Sequence, residues 1–217
     1  MKSRLFFVFL ALCLAFGGFS PALAKEPIKL SPPDYKSGLT VLEALKNRKS
    51  DREYGSGELS RQQLSELLWA AGGVNRDLGG GQVGLTAPSS HGDQPMIIYA
   101  FTKDGIYKYD PSSHQLDFLL SGDYRTSAGV QSYVADAPLN LLYVADMSKV
   151  TGDTEAYKLR AVHMDAGHIS QNVYLYAASA GLNTITRTSI DREELKELLN
   201  LSDNYEVLLG QTVGLAK

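Results

Sequence analysis

The most regular hydrophobic pattern in the chain runs through its second half. Between Ala156 and Ala180, apolar side chains recur in alternating steps of three and four residues, at Leu159, Val162, Ala166, Ile169, Val173, Tyr176 and Ala180. This spacing predicts one long α-helix. No Asp, Glu, Lys or Arg follows Asp165 within it. We therefore expect the helix to be covered on several sides, at the centre of a domain or at a dimer interface.

Shorter helices are predicted from their N-terminal capping residues. Thr40 with Glu43, and Ser60 with Gln63, have the spacing of a capping box, in which two side chains satisfy the first free amides of a helix. Apolar residues at helical spacing then predict helices over 40–47, 60–72 and 191–199.

Strands are predicted where apolar residues alternate or run together. Six segments fit this description, at 95–101, 106–109, 115–120, 139–145, 182–186 and 205–213. The first two should form a hairpin around Lys103-Asp104-Gly105. The nearly continuous apolar run at 139–145 should be a buried strand.

The remaining segments are predicted to be irregular. They are an extended arm over 25–36, a loop over 48–59, and a long functional or mobile loop over 75–92. Because no internal repeat or domain linker is visible, the economical interpretation is one α+β domain over residues 25–217.

The first 24 residues have the layout of a secretory signal peptide. Lys2 and Arg4 precede the apolar run 5–16, and Ala22-Leu23-Ala24 forms an A-x-A cleavage site. A finished membrane-spanning helix needs about 20 apolar residues, which is more than the run 5–16 provides. An N-terminal membrane anchor is the alternative interpretation. Cleavage after Ala24 would leave 193 of 217 residues and change the formal net charge from −3 to −5. We therefore expect an exported protein, periplasmic or secreted.

Composition and charge exclude several classes of function. The single cysteine, Cys13, lies inside the signal peptide, so the mature chain has no thiol chemistry. A formal net charge of −3 offers no basic surface for nucleic acid, and no later apolar run is long enough to cross a membrane. Dinucleotide-binding, P-loop and nucleophile-elbow motifs are absent from the sequence.

The four histidines do not predict a metal site. His163 and His168 are five residues apart on the long helix and point to different faces, and His91 and His114 stand alone in polar loops.

The segment Arg48-Lys49-Ser50-Asp51-Arg52 carries the most distinctive local chemistry. It has three cations and one hydroxyl within five residues, directly after a predicted helix. One interpretation is a solvated basic patch that complements the helix dipole. The other is a phosphate clamp, because Arg presents a rigid fork of donors and Ser adds one more.

Four segments together resemble one protein family. Residues 48–52 match R-[RK]-S-x-R, residues 87–94 match A-P-S-[SA]-x-N-x-Q, residues 165–182 match D-A-G-x-x-x-Q-N and its continuation along the long helix, and residues 208–217 match L-L-x-Q-T-V-G-x-x-K. In this order they resemble the FMN-dependent nitroreductase family. Within that family, the chain is most similar to the branch that contains azoline-oxidising dehydrogenases of peptide maturation.

This resemblance implies an α+β fold with a mixed sheet flanked by helices around a long central helix. It also implies a homodimer with two FMN sites at the subunit interface. By position, Arg48, Lys49 and Ser50 would hold the FMN phosphate and ribityl chain, and Lys217 would assist them. Arg52 would lie near the pyrimidine side of the flavin, where a cation stabilises the negative charge of the reduced ring.

Two further groups of cofactor-binding residues follow from the same resemblance. Pro88, Ser89 and Ser90 would come from the other subunit, and Gln94 would contact the edge of the ring. After the strand at 182–186, the turn containing Arg187, Thr188 and Ser189 would bring backbone amides near flavin N5. No catalytic acid or base is required of the protein, since the flavin carries the chemistry.

One position departs from the family pattern. Gly92 stands where the family usually has an Asn that contacts the flavin, and the neighbouring Asp93 would bring a carboxylate near the ring.

Three functional hypotheses therefore remain open. The first is an FMN oxidoreductase that transfers hydride through flavin N5, from a small-molecule electron donor to a nitroaromatic, quinone or azoline-type acceptor. The second, motivated by Gly92, is a protein that binds flavin or another planar ligand without redox turnover. The third is an exported interaction module without a ligand.

Overall fold

The structure, a computed structural model, describes residues 26–217, so the predicted signal peptide lies outside the described residues. The strands are β1 Ile28–Lys29, β2 Val74–Gly79, β3 Gln82–Leu85, β4 Met96–Thr102, β5 Gly105–Asp110, β6 Gln115–Ser121, β7 Leu139–Asp146, β8 Leu182–Arg187 and β9 Tyr205–Leu215. The α-helices are α1 Val41–Asn47, α2 Arg61–Gly72, α3 Tyr133–Asp136, α4 Glu155–Ser179 and α5 Arg192–Leu198.

The pattern-based elements agree closely with these bounds. The long helix, the six predicted strands and the three short helices are all present. Both capping boxes form, so that Thr40 and Ser60 each accept a hydrogen bond from the amide three residues later. The Lys103–Gly105 turn joins β4 to β5 as an antiparallel hairpin. The predicted arm contributes β1, which pairs with the sheet edge at β6.

Seven strands form one sheet in the order β1-β6-β5-β4-β7-β9-β8. The α+β class is confirmed, but every strand pair in this sheet is antiparallel, whereas a mixed sheet was expected. Helix α4 carries the chain from β7 to β8, and both strands run in the same direction. They do not become parallel neighbours, because β9 lies between them and runs opposite to both.

The predicted long loop over 75–92 is wrong in its first half. Residues 74–85 form a separate two-stranded hairpin, β2–β3, with its turn at Gly80-Gly81. Gly79, Gly80 and Gly81 all have positive φ values, a conformation that glycine adopts without steric cost. The glycine run that suggested an irregular loop is therefore the turn of a hairpin.

Two hydrophobic layers cover the two faces of the sheet. Alternate residues of β7, including Leu141 and Tyr143, face the layer formed by α2 and α4. The intervening residues Leu142 and Val144 face the layer that includes Leu195 of α5. A strand buried on both faces reads as a continuous apolar run, which explains the pattern at 139–145.

In the described part of the chain, no helix has the length and apolar character needed to cross a membrane.

Candidate functional site

Tyr174 of α4 connects the segment that follows α1 to β8. Its hydroxyl lies 3.0 Å from Ser50 Oγ and accepts a hydrogen bond of 2.9 Å from the amide of Thr186. The guanidinium of Arg48 lies 5.5 Å from the centre of the Tyr174 ring, within the range of a cation–π contact. Helix α1 ends at Arg48, whose extended ψ turns the chain towards this tyrosine.

The other charges of the basic segment are arranged differently. Lys49 Nζ forms an ion pair of 2.7 Å with Asp51. This ion pair, together with a hydrogen bond from the Glu53 amide, lowers the pKa of the Asp51 carboxyl. The Asp51 amide donates to the carbonyl of Thr184 and so fixes the segment along β8. Arg52 is exposed.

The C-terminus reaches the same region. The Gly55 amide donates to the carbonyl of Leu215 at 2.9 Å, and Tyr54 pairs with Ala216. A Cβ on Gly55 would lie 2.9 Å from the Ala216 carbonyl oxygen, so glycine permits this close approach. The neighbouring Lys217 is exposed. A groove of about 200 Å³ opens here, lined in part by Asn47, Lys49, Tyr174, Thr184 and Ala216. Arg48, Lys49, Ser50 and Lys217 are thus brought to one region of the surface.

A second group of predicted residues gathers around Asp165 on α4. Ser89 Oγ donates to Asp165 Oδ2 at 3.0 Å, and the Ser90 amide donates to Oδ1 at 3.0 Å. The Gln94 amide donates to Ser89 Oγ, while the Gln94 side chain donates to the carbonyl of Val83 in β3. Asp165 is only 3% exposed, and sequence reasoning did not assign it to the site. In the sequence, Asp165 was marked only as the last charged residue of the long helix and as the first residue of the D-A-G motif.

The departure at Gly92 has a clear local geometry. Gly92 has φ +74°, between His91 and Gln94, which also have positive φ. A Cβ at Gly92 would meet nothing within 4 Å. The Asp93 carboxylate accepts hydrogen bonds from the amide and hydroxyl of Thr151, so it serves to fix this loop beside the start of α4.

The hairpin β2–β3 forms one wall of a cleft beside the second group. This cleft has a volume of about 500 Å³, and its lining includes Arg76, Val83, Pro88, His91 and Gln94. It is large enough for a small aromatic molecule.

The first and second groups are separate in one protomer. They contact α4 at Tyr174 and Asp165, nine residues apart, which corresponds to about 13.5 Å along the helix axis. Around and between these two positions, one face of α4 is exposed, at His163, Met164, Gly167, His168 and Gln171. The expected cover on several sides is therefore incomplete within the described chain.

The third group lies at the end of β8, where Thr188 and Ser189 are exposed. The Arg187 side chain points away from them into the interior. It donates to the Ala128 carbonyl at 2.6 Å, to Asn140 Oδ1 at 3.2 Å, and to Thr212 Oγ1. The Arg187 side chain is therefore engaged inside the protein, and its expected role at the flavin stays a prediction for its backbone alone.

The sequence suggested that His114 stands alone in a polar loop, but in the structure it has three hydrogen-bond partners. Its ring nitrogens lie 2.8 Å from Tyr109 Oη and 2.8 Å from Ser65 Oγ, and 3.0 Å from the carbonyl oxygen of Ser31. Burial lowers the pKa of His114. The residue links the N-terminal arm to α2 and β5, and nothing in the local sequence indicates these distant partners. Over residues 26–217, His, Cys, Asp and Glu form no group suited to a metal ion.

Comparison with known proteins now decides the family. Residues 45–215 match the sequence profile of the Nitroreductase family. The chain belongs to the nitroreductase family. This membership supports, in general terms, a flavin-dependent oxidoreductase.

Two relatives are similar along most of their length. A protein of Methanocaldococcus jannaschii that bears the name nitroreductase is 32% identical over 194 residues, covering 85% of this chain and 95% of the relative. A crystal structure of a nitroreductase-type protein from Ralstonia eutropha JMP134 is 39% identical, with a TM-score of 0.81, covering 89% of this chain and 90% of that one.

Two more distant structures share the fold. The McbBCD complex, the microcin synthetase of E. coli, contains a chain that is 20% identical with a TM-score of 0.64, covering 98% of this chain and 85% of that one. The NADPH:FMN oxidoreductase of Vibrio harveyi is 22% identical with a TM-score of 0.60, covering 82% of this chain and 69% of that one. At such identities the likeness concerns the fold alone.

Proposed function

We propose that this nitroreductase is an exported homodimer that binds FMN and transfers hydride to a small organic acceptor. The observation that carries the proposal is that Arg48 and Ser50 contact Tyr174, while Lys49, Tyr174 and Ala216, the residue before Lys217, line one groove. The donor set fits a phosphate, which is bound well by guanidinium, ammonium and hydroxyl groups. When bound there, FMN would supply the hydride chemistry at its N5 atom.

The roles of the protein groups follow from their positions. Arg48, Lys49 and Lys217 would neutralise the phosphate, and Ser50 would donate a hydrogen bond to it or to the ribityl chain. The amides of the exposed residues Thr188 and Ser189 would face the ring near N5. Arg52 would stand near the pyrimidine side, where a positive charge favours the reduced flavin.

A second protomer is needed to complete this site. Pro88, Ser89 and Ser90 of the partner subunit would close the flavin cleft from the other side, with Gln94 at the ring edge. The exposed face of α4 supports such an interface, because a Cβ at Gly167 would meet nothing within 4 Å in the protomer. Glycine inside a helix costs about 0.5–1 kcal/mol relative to alanine, and the protomer itself gives no reason for it. Close approach of a partner helix supplies that reason.

The acceptor would enter the cleft between the β2–β3 hairpin and the loop that contains His91. A nitroaromatic or a quinone suits this cleft as a hydride acceptor, because each is small and planar. An azoline-type ring would fit the same cleft in the opposite role, because its oxidation to an azole gives hydride to the flavin. A small-molecule electron donor would occupy the same cleft first and leave before the acceptor binds.

The direct test is to purify residues 25–217 and measure flavin absorbance before and after addition of FMN. Arg48→Ala should weaken FMN binding about ten- to a hundredfold, because a charge-assisted contact contributes about 1.5–3 kcal/mol. Arg160→Ala is the matched control, because the Arg160 guanidinium makes a similar contact, 5.6 Å from the ring centre of Tyr157, which is also in α4. A mature protein that stays colourless in excess FMN would refute the proposal.

The alternative is a flavin or planar-ligand carrier without redox turnover. Gly92 favours it, since the Asn that normally contacts the flavin is missing. Bound flavin that no donor in a panel of nicotinamides and quinols reduces would support this alternative. Rapid reduction by any of them would exclude it. If Arg48→Ala changes neither the stability nor the ligand binding of the protein, the result would instead indicate an interaction module.

A further inference from the structure

Arg187 is a buried cation without a buried anion beside it. The residue is 7% exposed, and its three hydrogen-bond acceptors are the neutral oxygens of Ala128, Asn140 and Thr212. Within residues 26–217, no carboxylate forms an ion pair with it. A charge buried in this way is costly unless something compensates it.

The fold accommodates this guanidinium specifically. A Cβ on Gly129 would overlap its Nε atom, and a Cβ on Gly210 would lie 3.2 Å from its Cζ atom. Asn140 is oriented to receive it, because its amide group donates to the carbonyl of Val134 and its Oδ1 also accepts a bond of 2.6 Å from Thr212. No acceptor in the described chain reaches Arg187 Nε.

The guanidinium remains charged at any physiological pH. Burial lowers the pKa of Arg187. The ordinary value is above about 12, so the side chain still carries its proton. The ionisable groups that influence it are the phenols of Tyr54, Tyr133 and Tyr143, and no carboxylate is among them.

The charge is linked by hydrogen bonds to the exposed turn that follows Arg187 in the chain. Arg187 is the last residue of β8, and Thr188 and Ser189 follow it. The Ala128 carbonyl that it binds belongs to the loop whose Val130 amide donates to the carbonyl of Ser189. The nearest acidic residue along the chain, Asp191, is exposed, so solvent screens its effect.

We propose that Arg187 is a positioning residue whose uncompensated charge, linked by hydrogen bonds to the Thr188–Ser189 turn, favours an anionic ligand at that turn, specifically reduced flavin. This inference rests on the proposed function. A hydride carries two electrons and one proton to N5, so flavin that remains deprotonated at N1 gains one negative charge on reduction. A fixed positive charge in a poorly solvated interior stabilises that form over the neutral oxidised form.

The test compares midpoint potentials of the FMN-loaded protein by dye equilibration. Arg187→Met removes the charge, and Asn140→Asp adds a carboxylate at the atom 3.2 Å from the guanidinium. In each variant the ratio of reduced to oxidised flavin at a fixed potential should fall about tenfold, a shift of about 30 mV for a two-electron couple. Arg187→Lys should restore most of the wild-type ratio. Arg61→Met, which removes a distant cation bound to the Lys29 carbonyl, should leave it unchanged.

Folding is checked by circular dichroism for every variant. If Arg187→Met does not fold, Asn140→Asp decides the question. If neither folds, Arg52→Met decides it, because without the Arg52 charge the protein should still bind reduced FMN at least tenfold more tightly than oxidised FMN. Equal affinities, or midpoint potentials of folded variants that match the wild type, would overturn the role of Arg187. Failure of the wild-type protein to bind any FMN would instead overturn the proposed function.

Discussion

Replacing Tyr174 with Phe would remove one oxygen atom that joins three elements of the candidate site. The ring would stay, so the contact with the Arg48 guanidinium would largely survive. Two hydrogen bonds would be lost, one with Ser50 Oγ and one from the Thr186 amide. The substitution therefore separates hydrogen bonding from packing.

The structure gives a magnitude for the change in stability. The half-buried Thr186 amide would lose its acceptor, which costs about 1–3 kcal/mol. The Ser50 contact is exposed and contributes about 0.5 kcal/mol. We therefore expect the free energy of unfolding to fall by about 2 kcal/mol, measured by urea unfolding of the protein without FMN.

The effect on FMN binding is smaller but more diagnostic. Without Tyr174 Oη, binding must restrict the Ser50 hydroxyl, which costs about 0.5–1.4 kcal/mol. FMN affinity should fall about two- to tenfold by fluorescence titration. Tyr176→Phe is the matched control, because its hydroxyl, two residues along α4, donates to Glu66 Oε2 at 2.9 Å, and its loss should leave FMN affinity unchanged. If Tyr174→Phe lowers stability but binds FMN as tightly as the wild type, Tyr174 has no part in arranging the site.

Three further predictions concern the interface, the second group and the arm. Gly167→Leu should dissociate the dimer in light scattering and abolish FMN binding while circular dichroism stays native, whereas a variant that remains dimeric would remove α4 from the interface. Asp165→Asn should lower the free energy of unfolding by about 1–3 kcal/mol, because charge-assisted bonds from Ser89 and Ser90 are weakened; unchanged thermal unfolding would contradict this. The pKa of His114 is lowered in the folded state, so its contribution to stability is full above about pH 6.5 and declines as the pH falls through the folded-state value. His114→Gln should flatten that part of the curve of unfolding free energy against pH, and an equally steep curve would show that His114 does not titrate on unfolding.

Local patterns predicted the elements well, for physical reasons that can be named. The stepwise spacing in α4, the two capping boxes and the run in β7 all depend on neighbours within a few residues. The β2–β3 hairpin was missed because its strands are short, polar and exposed, so they lack an alternating apolar signal. The order of strands depends on contacts between distant segments, which periodicity does not encode.

For the candidate site too, features that depend on neighbouring residues were predicted, and features that depend on distant contacts were missed. The basic segment and the Pro88–Ser90 loop were found because their chemistry is local and matches family motifs. Tyr174 and Asp165 were missed because their roles depend on partners more than seventy residues away, at Ser50 and Ser89. The inward direction of Arg187 likewise depends on β7 and β9, which the sequence around it does not reveal.

The place of β9 between β7 and β8 has a consequence for how the molecule is made. Residues 205–215 fill the gap between β7 and β8 and pair with both. Without them, β7 is unpaired on one side and β8 has no partner in the sheet, so both strands present free backbone groups to which another chain can bind. A chain that lacks residues 205–215 should therefore associate with other chains more readily than the intact protein.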